Sequence, residues 1–199
     1  MAPRGRPPLP RGVFAFDAPG WEPPKAVVLD TNVVAEALLP KQPEHDACLA
    51  VLERLGTAGT SITFSRHLEI ELWEVLFNLA LRERHPRKEL RRVRYDNRVR
   101  PRAARLLGQT QQAWEKMLGS LDWSLVEIDN VAAEVPGLMQ KYGLQSYDAV
   151  HAATLLNSGI TDFVTRDGGF AALPPAVATL HTTQARLTNT RARRRRAGY

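Results

Sequence analysis

The chain has 199 residues, a net charge of +6, 44% hydrophobic and 24% charged side chains. These values suit one folded domain with tails and exclude a disulfide-framed scaffold, because Cys48 is the single cysteine. No apolar run approaches the ~18–20 residues that a membrane-spanning helix needs.

The first 24 residues, rich in Pro and Arg, lack a continuous apolar stretch. They read as a flexible, extended arm rather than a signal peptide. Residues 26–30 (AVVLD) predict a short buried strand, and TNVVAEALL a helix that stops before Pro40. Pro43 suits the first turn of a second helix ending at Gly56. TSITF at 60–64 is a second strand, and Ser65 caps a long apolar helix over 66–84. A basic stretch runs to Pro101, a helix covers about 102–118, and WSLVEI at 123–128 is a third strand. Asn130 caps a helix that Pro136 restarts or kinks and Gly143 ends. Ser146 opens a helix closed by Gly159, DFVT at 162–165 is a fourth strand, and VATLH at 177–181 a short fifth. Strand–helix alternation of this kind predicts an α/β fold, an α/β/α sandwich with a mostly parallel central sheet.

Charge is segregated. Residues 82–105 hold 11 Lys/Arg against 3 acids, and residues 186–199 hold 6 Arg and no acid. Removing these segments from the totals of 27 basic and 21 acidic residues leaves 10 and 18. Basic segments on an acidic body point to a polyanionic partner, with Arg91, Arg92, Arg94, Arg98, Arg193, Arg194, Arg195 and Arg196 as candidate phosphate contacts. Residues 186–199 have too few apolar side chains to fold alone, so the Arg-rich C-terminal tail, 183–199, reads as mobile.

In a parallel α/β sheet, function gathers at the carboxyl ends of the strands. Asp30 ends the first strand, Asp148 lies in the first turn of the helix from Ser146, and Asp167 follows the fourth strand. Each alone has a bland reading, as a turn or helix-terminus residue. Together they suggest a shared cause, a divalent cation that offsets their mutual repulsion. Oxygen donors favour Mg²⁺ or Mn²⁺ over zinc, and the five histidines show no zinc spacing.

VVLDTNVV, an acid in the helix after the second strand, SYDAVHAATLL and FVTRDGGF occur in this order and together resemble the PIN domain family. That family includes the toxins of VapBC-type toxin–antitoxin pairs, and the likeness covers roughly residues 26–182. The resemblance implies a Rossmann-like sandwich and a Mg²⁺- or Mn²⁺-dependent hydrolysis of RNA phosphodiesters. By position it implies Asp30, Glu71, Asp148 and Asp167 as catalytic acids, with Asp30, Asp148 and Asp167 as metal ligands. Asn32 and Thr165 match the polar positions that support them. It also implies a cytoplasmic setting and an antitoxin partner. Helical periodicity removes Glu74 but leaves Glu69 and Glu71 on either side of the buried stripe; the pattern ELWEVL, by resemblance, favours Glu71. Trp73 and Phe77 widen the apolar face of that helix enough for a homodimer interface. His151, one turn after Asp148, reads as a packing residue. The long basic segment, the Arg-rich tail and Pro136 depart from the family pattern.

Other readings compete. A phosphatase would need an acid where Asn32 stands. A non-catalytic RNA-binding module would not need all four acids. A housekeeping RNA-processing nuclease would share the chemistry.

Overall fold

The computed structural model describes residues 12–198. Six strands form one sheet: β1 (Val13–Ala15), β2 (Ala26–Leu29), β3 (Ser61–Ser65), β4 (Asp122–Val126), β5 (Asp162–Val164) and β6 (Thr179–Thr182), all in parallel pairing. Their order is β1-β6-β5-β2-β3-β4. From β2 the chain builds outward through β3 and β4, then returns to the other side of β2 for β5 and β6. The crevice between the carboxyl ends of β2 and β5 is therefore the topological switch point.

Side-chain alternation along β2 sends its residues to two cores. Val27 and Leu29 join a cluster with Val33, Leu52, Ile62, Phe64 and Trp114, which brings in α1 (Thr31–Leu38), α2 (His45–Thr57) and α5 (Arg100–Leu118). Val28 faces the opposite cluster with Leu138, Ala149, Ala152, Phe163 and Leu180, which holds α6 (Val135–Tyr142) and α7 (Ser146–Ser158). This is the expected α/β/α sandwich. Pro136 sits in the first turn of α6 as a restart, after a separate 3₁₀ turn at Ile128–Asn130. Gly143 and Gly159 close α6 and α7 with φ of 67° and 68°, the left-handed cap that glycine adopts at low cost.

The basic segment is folded onto α3 (Arg66–Arg84). It contains α4 (Leu90–Val93) and a 3₁₀ turn at Asn97–Val99. Ala80, Leu81, Val99 and Ala103 form a small core of their own, against which Trp73, Phe77, Leu90 and Val93 pack. Trp73 and Phe77 are thus partly covered by their own chain, which narrows the apolar surface open to a second copy.

Two further expectations are corrected. The arm is structured from Val13 onward; residues 1–11 lie outside the described residues. Val13 and Ala15 are buried, β1 pairs with β6, and Phe16 and Trp21 enter the core. Arg54 donates to the carbonyls of Phe16, at 3.0 Å, and Trp21, and lies over the Trp21 ring at 4.8 Å. The tail is also ordered, as helix α8 (Gln184–Arg196). Leu187, Thr190 and Arg194, spaced i, i+3 and i+7, make its buried face.

Arg194, a candidate phosphate contact by sequence, is fully buried. Its guanidinium donates to the carbonyl of Gly12 and to those of Leu173 at 2.8 Å and Ala178 at 2.7 Å. Arg191 reaches the carbonyl of Val13 at 3.0 Å. Five fixed guanidinium donors can satisfy several carbonyls at once, which suits Arg to stapling loops at a sheet edge. Arg194→Met should therefore cost about 2–4 kcal/mol, since it leaves buried carbonyls unpaired, whereas Arg195→Gln on the exposed face should change stability by less than about 0.5 kcal/mol. Urea unfolding of both variants measures this.

Candidate functional site

Asp30 is at the end of β2 and caps α1, with Oδ1 accepting from the Asn32 backbone N–H at 3.4 Å. Its Oδ2 accepts from Asn32 Nδ2 at 2.6 Å and from the Thr165 hydroxyl at 2.5 Å. Thr165 Oγ1 in turn accepts from the backbone N–H of Asp167 at 2.9 Å. One hydroxyl thus links the acids at the ends of β2 and β5. Asn32 Oδ1 accepts from the Arg166 backbone N–H at 2.9 Å, which ties the same two strand ends again. Burial, the largest influence, raises the pKa of Asp30 against the opposing effects of His151 and Thr165.

On α3 the three glutamates separate. Glu69 pairs with Arg66 at 2.7 Å, and Glu74 with Arg94 at 3.5 Å. Glu71 instead lies at the crevice, its Oε2 3.1 Å from His151 Nε2. Burial disfavours its charge, but His151 outweighs this and the Glu71 pKa is lowered. Asp148, half-buried in the first turn of α7, has its pKa raised to about 6 by burial, then by the charges of Asp167, Asp30 and Glu71. Asp167 is exposed, and its Oδ1 accepts from the Gly169 backbone N–H at 2.6 Å.

His151 holds more than the packing role its sequence pattern predicts. Its ring does pack in the core, beside Phe163 and Phe170. Yet Nε2 enters the acid pocket, 3.1 Å from Glu71, 3.6 Å from Asp30 Oδ1 and 3.4 Å from Thr31 Oγ1. Ligand-type atoms of Asp30, Glu71 and His151 lie within 4.8 Å of one another. Burial opposes a charge on His151, but the hydrogen bond to Glu71 and the charges of Asp30 and Asp148 prevail and raise its pKa. The i, i+3 spacing of Asp148 and His151 is the signal in the sequence, since it puts both on one face of α7.

Arg166 has no such signal. Its guanidinium bonds Glu36 at 2.6 Å and Glu44 at 2.9 Å, and Glu44 also accepts from Thr183 at 2.5 Å and Arg186 at 2.9 Å. Burial opposes ionisation of Glu44, but these donors prevail and hold its pKa at about 2. No periodicity or spacing marks such a residue. Among the remaining candidate phosphate contacts, Arg91, Arg92, Arg94 and Arg98 are exposed on the α3–α5 extension, and Arg193, Arg195 and Arg196 on α8.

The PIN domain family profile matches residues 27–174, and the chain belongs to the PIN domain family. Among solved structures, a similar chain comes from the crystal structure of VapBC2 from Rickettsia felis bound to a DNA fragment from their promoter. It is 16% identical, with a TM-score of 0.49, over 79% of this chain and 98% of that one. No curated protein matches the sequence. Among the described residues, no helix is long and apolar enough to cross a membrane.

The donor set fits a hard divalent cation: carboxylate oxygens predominate, and the pKa of Asp148 is raised to about 6 by burial and then by neighbouring acids whose charge a cation would offset. The consequence for stability has a definite sign. A carboxyl whose folded pKa, about 6, exceeds its unfolded value of 3.8 contributes stability that is present below pH 3.8 and lost as pH rises through 6. A cation that replaces the proton reverses that loss. Saturating Mg²⁺ should therefore raise Tm more at about pH 7.5 than at about pH 5, and the difference should shrink in Asp148→Asn. Thermal denaturation at the two pH values, with Mg²⁺ or with chelator, checks this.

Proposed function

We propose that the chain is a Mg²⁺- or Mn²⁺-dependent endoribonuclease that serves as the cytoplasmic toxin of a toxin–antitoxin pair. The observation that carries the nuclease reading is the pocket where Asp30, Glu71 and His151 bring ligand-type atoms within 4.8 Å of one another, beside Asp148, whose pKa burial and then the charges of Asp167, Asp30 and Glu71 raise to about 6. PIN family membership supports the same chemistry.

In this reading Asp30, Asp148 and Asp167 would hold the cation, and Glu71 would be a further ligand or orient the attacking water. The charge supplied there would polarise the scissile phosphate and lower the pKa of that water. Asn32 and Thr165 keep Asp30 in one orientation through the bonds at 2.6 and 2.5 Å. Asp148, half-buried, and Asp167, exposed, are the acids of this set most open to solvent. The acidic edge repels RNA, so affinity falls to the exposed arginines of the extension and of α8. Arg194 is no longer among them. The phosphatase reading fails at Asn32, whose side chain is engaged by Asp30 and by Arg166.

Asp148→Asn keeps the volume and removes a charged ligand. It should abolish cleavage of RNA in Mg²⁺ while preserving the circular-dichroism spectrum. Induction of the natural chain should arrest growth, induction of the variant should not, and a co-expressed antitoxin should relieve the arrest. Full cleavage by the variant would overturn the nuclease site. Cleavage in vitro without arrest in cells would favour a housekeeping RNA-processing role, and RNA binding without cleavage by the natural chain a non-catalytic module.

The arginines have a separate test. Replacing Arg193, Arg195 and Arg196 by Gln should lower the slope of log K against log salt by roughly 0.7 for each single-strand phosphate that is no longer neutralised. Replacing Arg91, Arg92, Arg94 and Arg98 should act likewise. Neither set should alter the metal requirement. Binding isotherms at several salt concentrations give the slopes, and unchanged slopes would remove these arginines from the RNA path.

A further inference from the structure

His151 occupies a position that packing alone does not require. Its Nε2 is the nitrogen amid the carboxylates, 3.1 Å from Glu71 Oε2 and 3.6 Å from Asp30 Oδ1. Its Nδ1 is buried and has no hydrogen-bond partner among the described residues. The side chain is 1% exposed.

These facts decide the proton's place. With a proton on Nε2, the ring donates to Glu71, and Nδ1 keeps a lone pair that faces no donor. With the proton on Nδ1 instead, a buried N–H is orphaned and the Nε2 lone pair confronts two carboxylates. Both the charged ring and the favourable neutral form therefore carry a proton on Nε2. A metal ligand needs the opposite, a free lone pair at Nε2. Direct ligation would strand Nδ1–H without an acceptor. Mg²⁺ also prefers oxygen and retains water, for which the buried ring leaves little access.

We infer that His151 is a positioning residue of the metal centre: its Nε2–H occupies Glu71 Oε2, anchors the α3 carboxylate to α7 and leaves Oε1 for the cation or its water. The inference rests on the metal-dependent reading proposed above. It assigns His151 the part that outer hydrogen-bond donors play around metal sites, fixing a ligand's orientation before the ion arrives. Glu71 and Asp148 stand on different helices, and His151 shares α7 with Asp148. The bond thus joins the two helices that deliver acids to the crevice.

Nitrogen NMR of the full chain labelled with ¹⁵N-histidine, at about pH 7.5, tests the protonation directly. His151 Nε2 should show a bound proton both with chelator and with saturating Mg²⁺. Loss of that proton on adding Mg²⁺ would overturn the inference in favour of direct ligation. Calorimetric titration with Mg²⁺ then reads the consequence. His151→Leu should weaken Mg²⁺ binding about tenfold, and His151→Gln, which places an amide N–H near the position of the missing Nε2–H, should return to within about threefold of the natural chain. Unchanged affinity in the Leu variant, or equal losses in both variants with native circular dichroism, would refute the positioning role. If the Leu variant fails to fold, the NMR result on the natural chain decides. Absence of Mg²⁺ binding by the natural chain would bring down the metal reading itself, whereas normal binding with an unaffected Leu variant removes only the part assigned to His151.

Discussion

Carboxylates at short range repel, and this molecule gathers several of them where two parallel strands end. Two unit charges about 4 Å apart interact by about 4 kcal/mol at an effective dielectric near 20. The surroundings of Asp30 answer that cost. Hydrogen bonds from Asn32 and Thr165 take one oxygen, and His151 lies near the other. Glu71 is drawn to the same imidazole, while Asp148, with less compensation, has its pKa pushed up to about 6. The site is thus arranged around a deficit of positive charge that a divalent cation can supply.

A second set of acids lies beside the first and is treated in the opposite way. Glu36 and Glu44 are neutralised within the protein by Arg166, with Arg186 and Thr183 also on Glu44. The backbone N–H of the same Arg166 holds Asn32. One residue between Thr165 and Asp167 therefore clamps the segment joining α1 to α2, while its backbone steadies the Asp30 support. The two sets differ in what holds their charge: the Glu44 pKa is kept at about 2 by fixed internal donors, whereas Asp148 has no such set among the described residues. An acid satisfied by an internal arginine has little left to offer a metal.

What the sequence made legible follows from how local each signal was. Asp30, Asp148 and Asp167 sit at the junctions of strands or helices whose boundaries were marked by apolar runs, Ser, Pro and Gly, so their shared edge could be inferred. Glu71 was different. Periodicity left it equal with Glu69, and only the approach of α7 carrying His151 separates them in space. Strand β1 was hidden because three residues in a Pro- and Gly-rich stretch carry almost no periodic signal, although buried Val13 and Ala15 do flank exposed Phe14. In α8, six arginines masked a helix face. Composition says that such a segment cannot bury enough apolar surface, and it does not; instead Arg194 buries donors against carbonyls contributed by segments distant in sequence.

The arginines therefore divide by what they would give up on meeting a phosphate. Arg91 and Arg92 share Glu89 at 3.1 and 3.2 Å, and Arg94 meets Glu74 at 3.5 Å; the arginines and Glu89 are well exposed to water, and Glu74 is partly so. Exposed pairs of this kind are worth about 0–1 kcal/mol, so exchanging a carboxylate for a phosphate costs little and the local positive field persists. Arg194 is held by buried carbonyls that nothing would satisfy on its departure, and Arg166 by Glu36 and Glu44 at the crevice wall. Counting basic residues treats these groups alike. Their burial separates a surface able to attract a polyanion from the staples that hold the edge strand and the site in place, and only the first can change partners without unfolding part of the sheet.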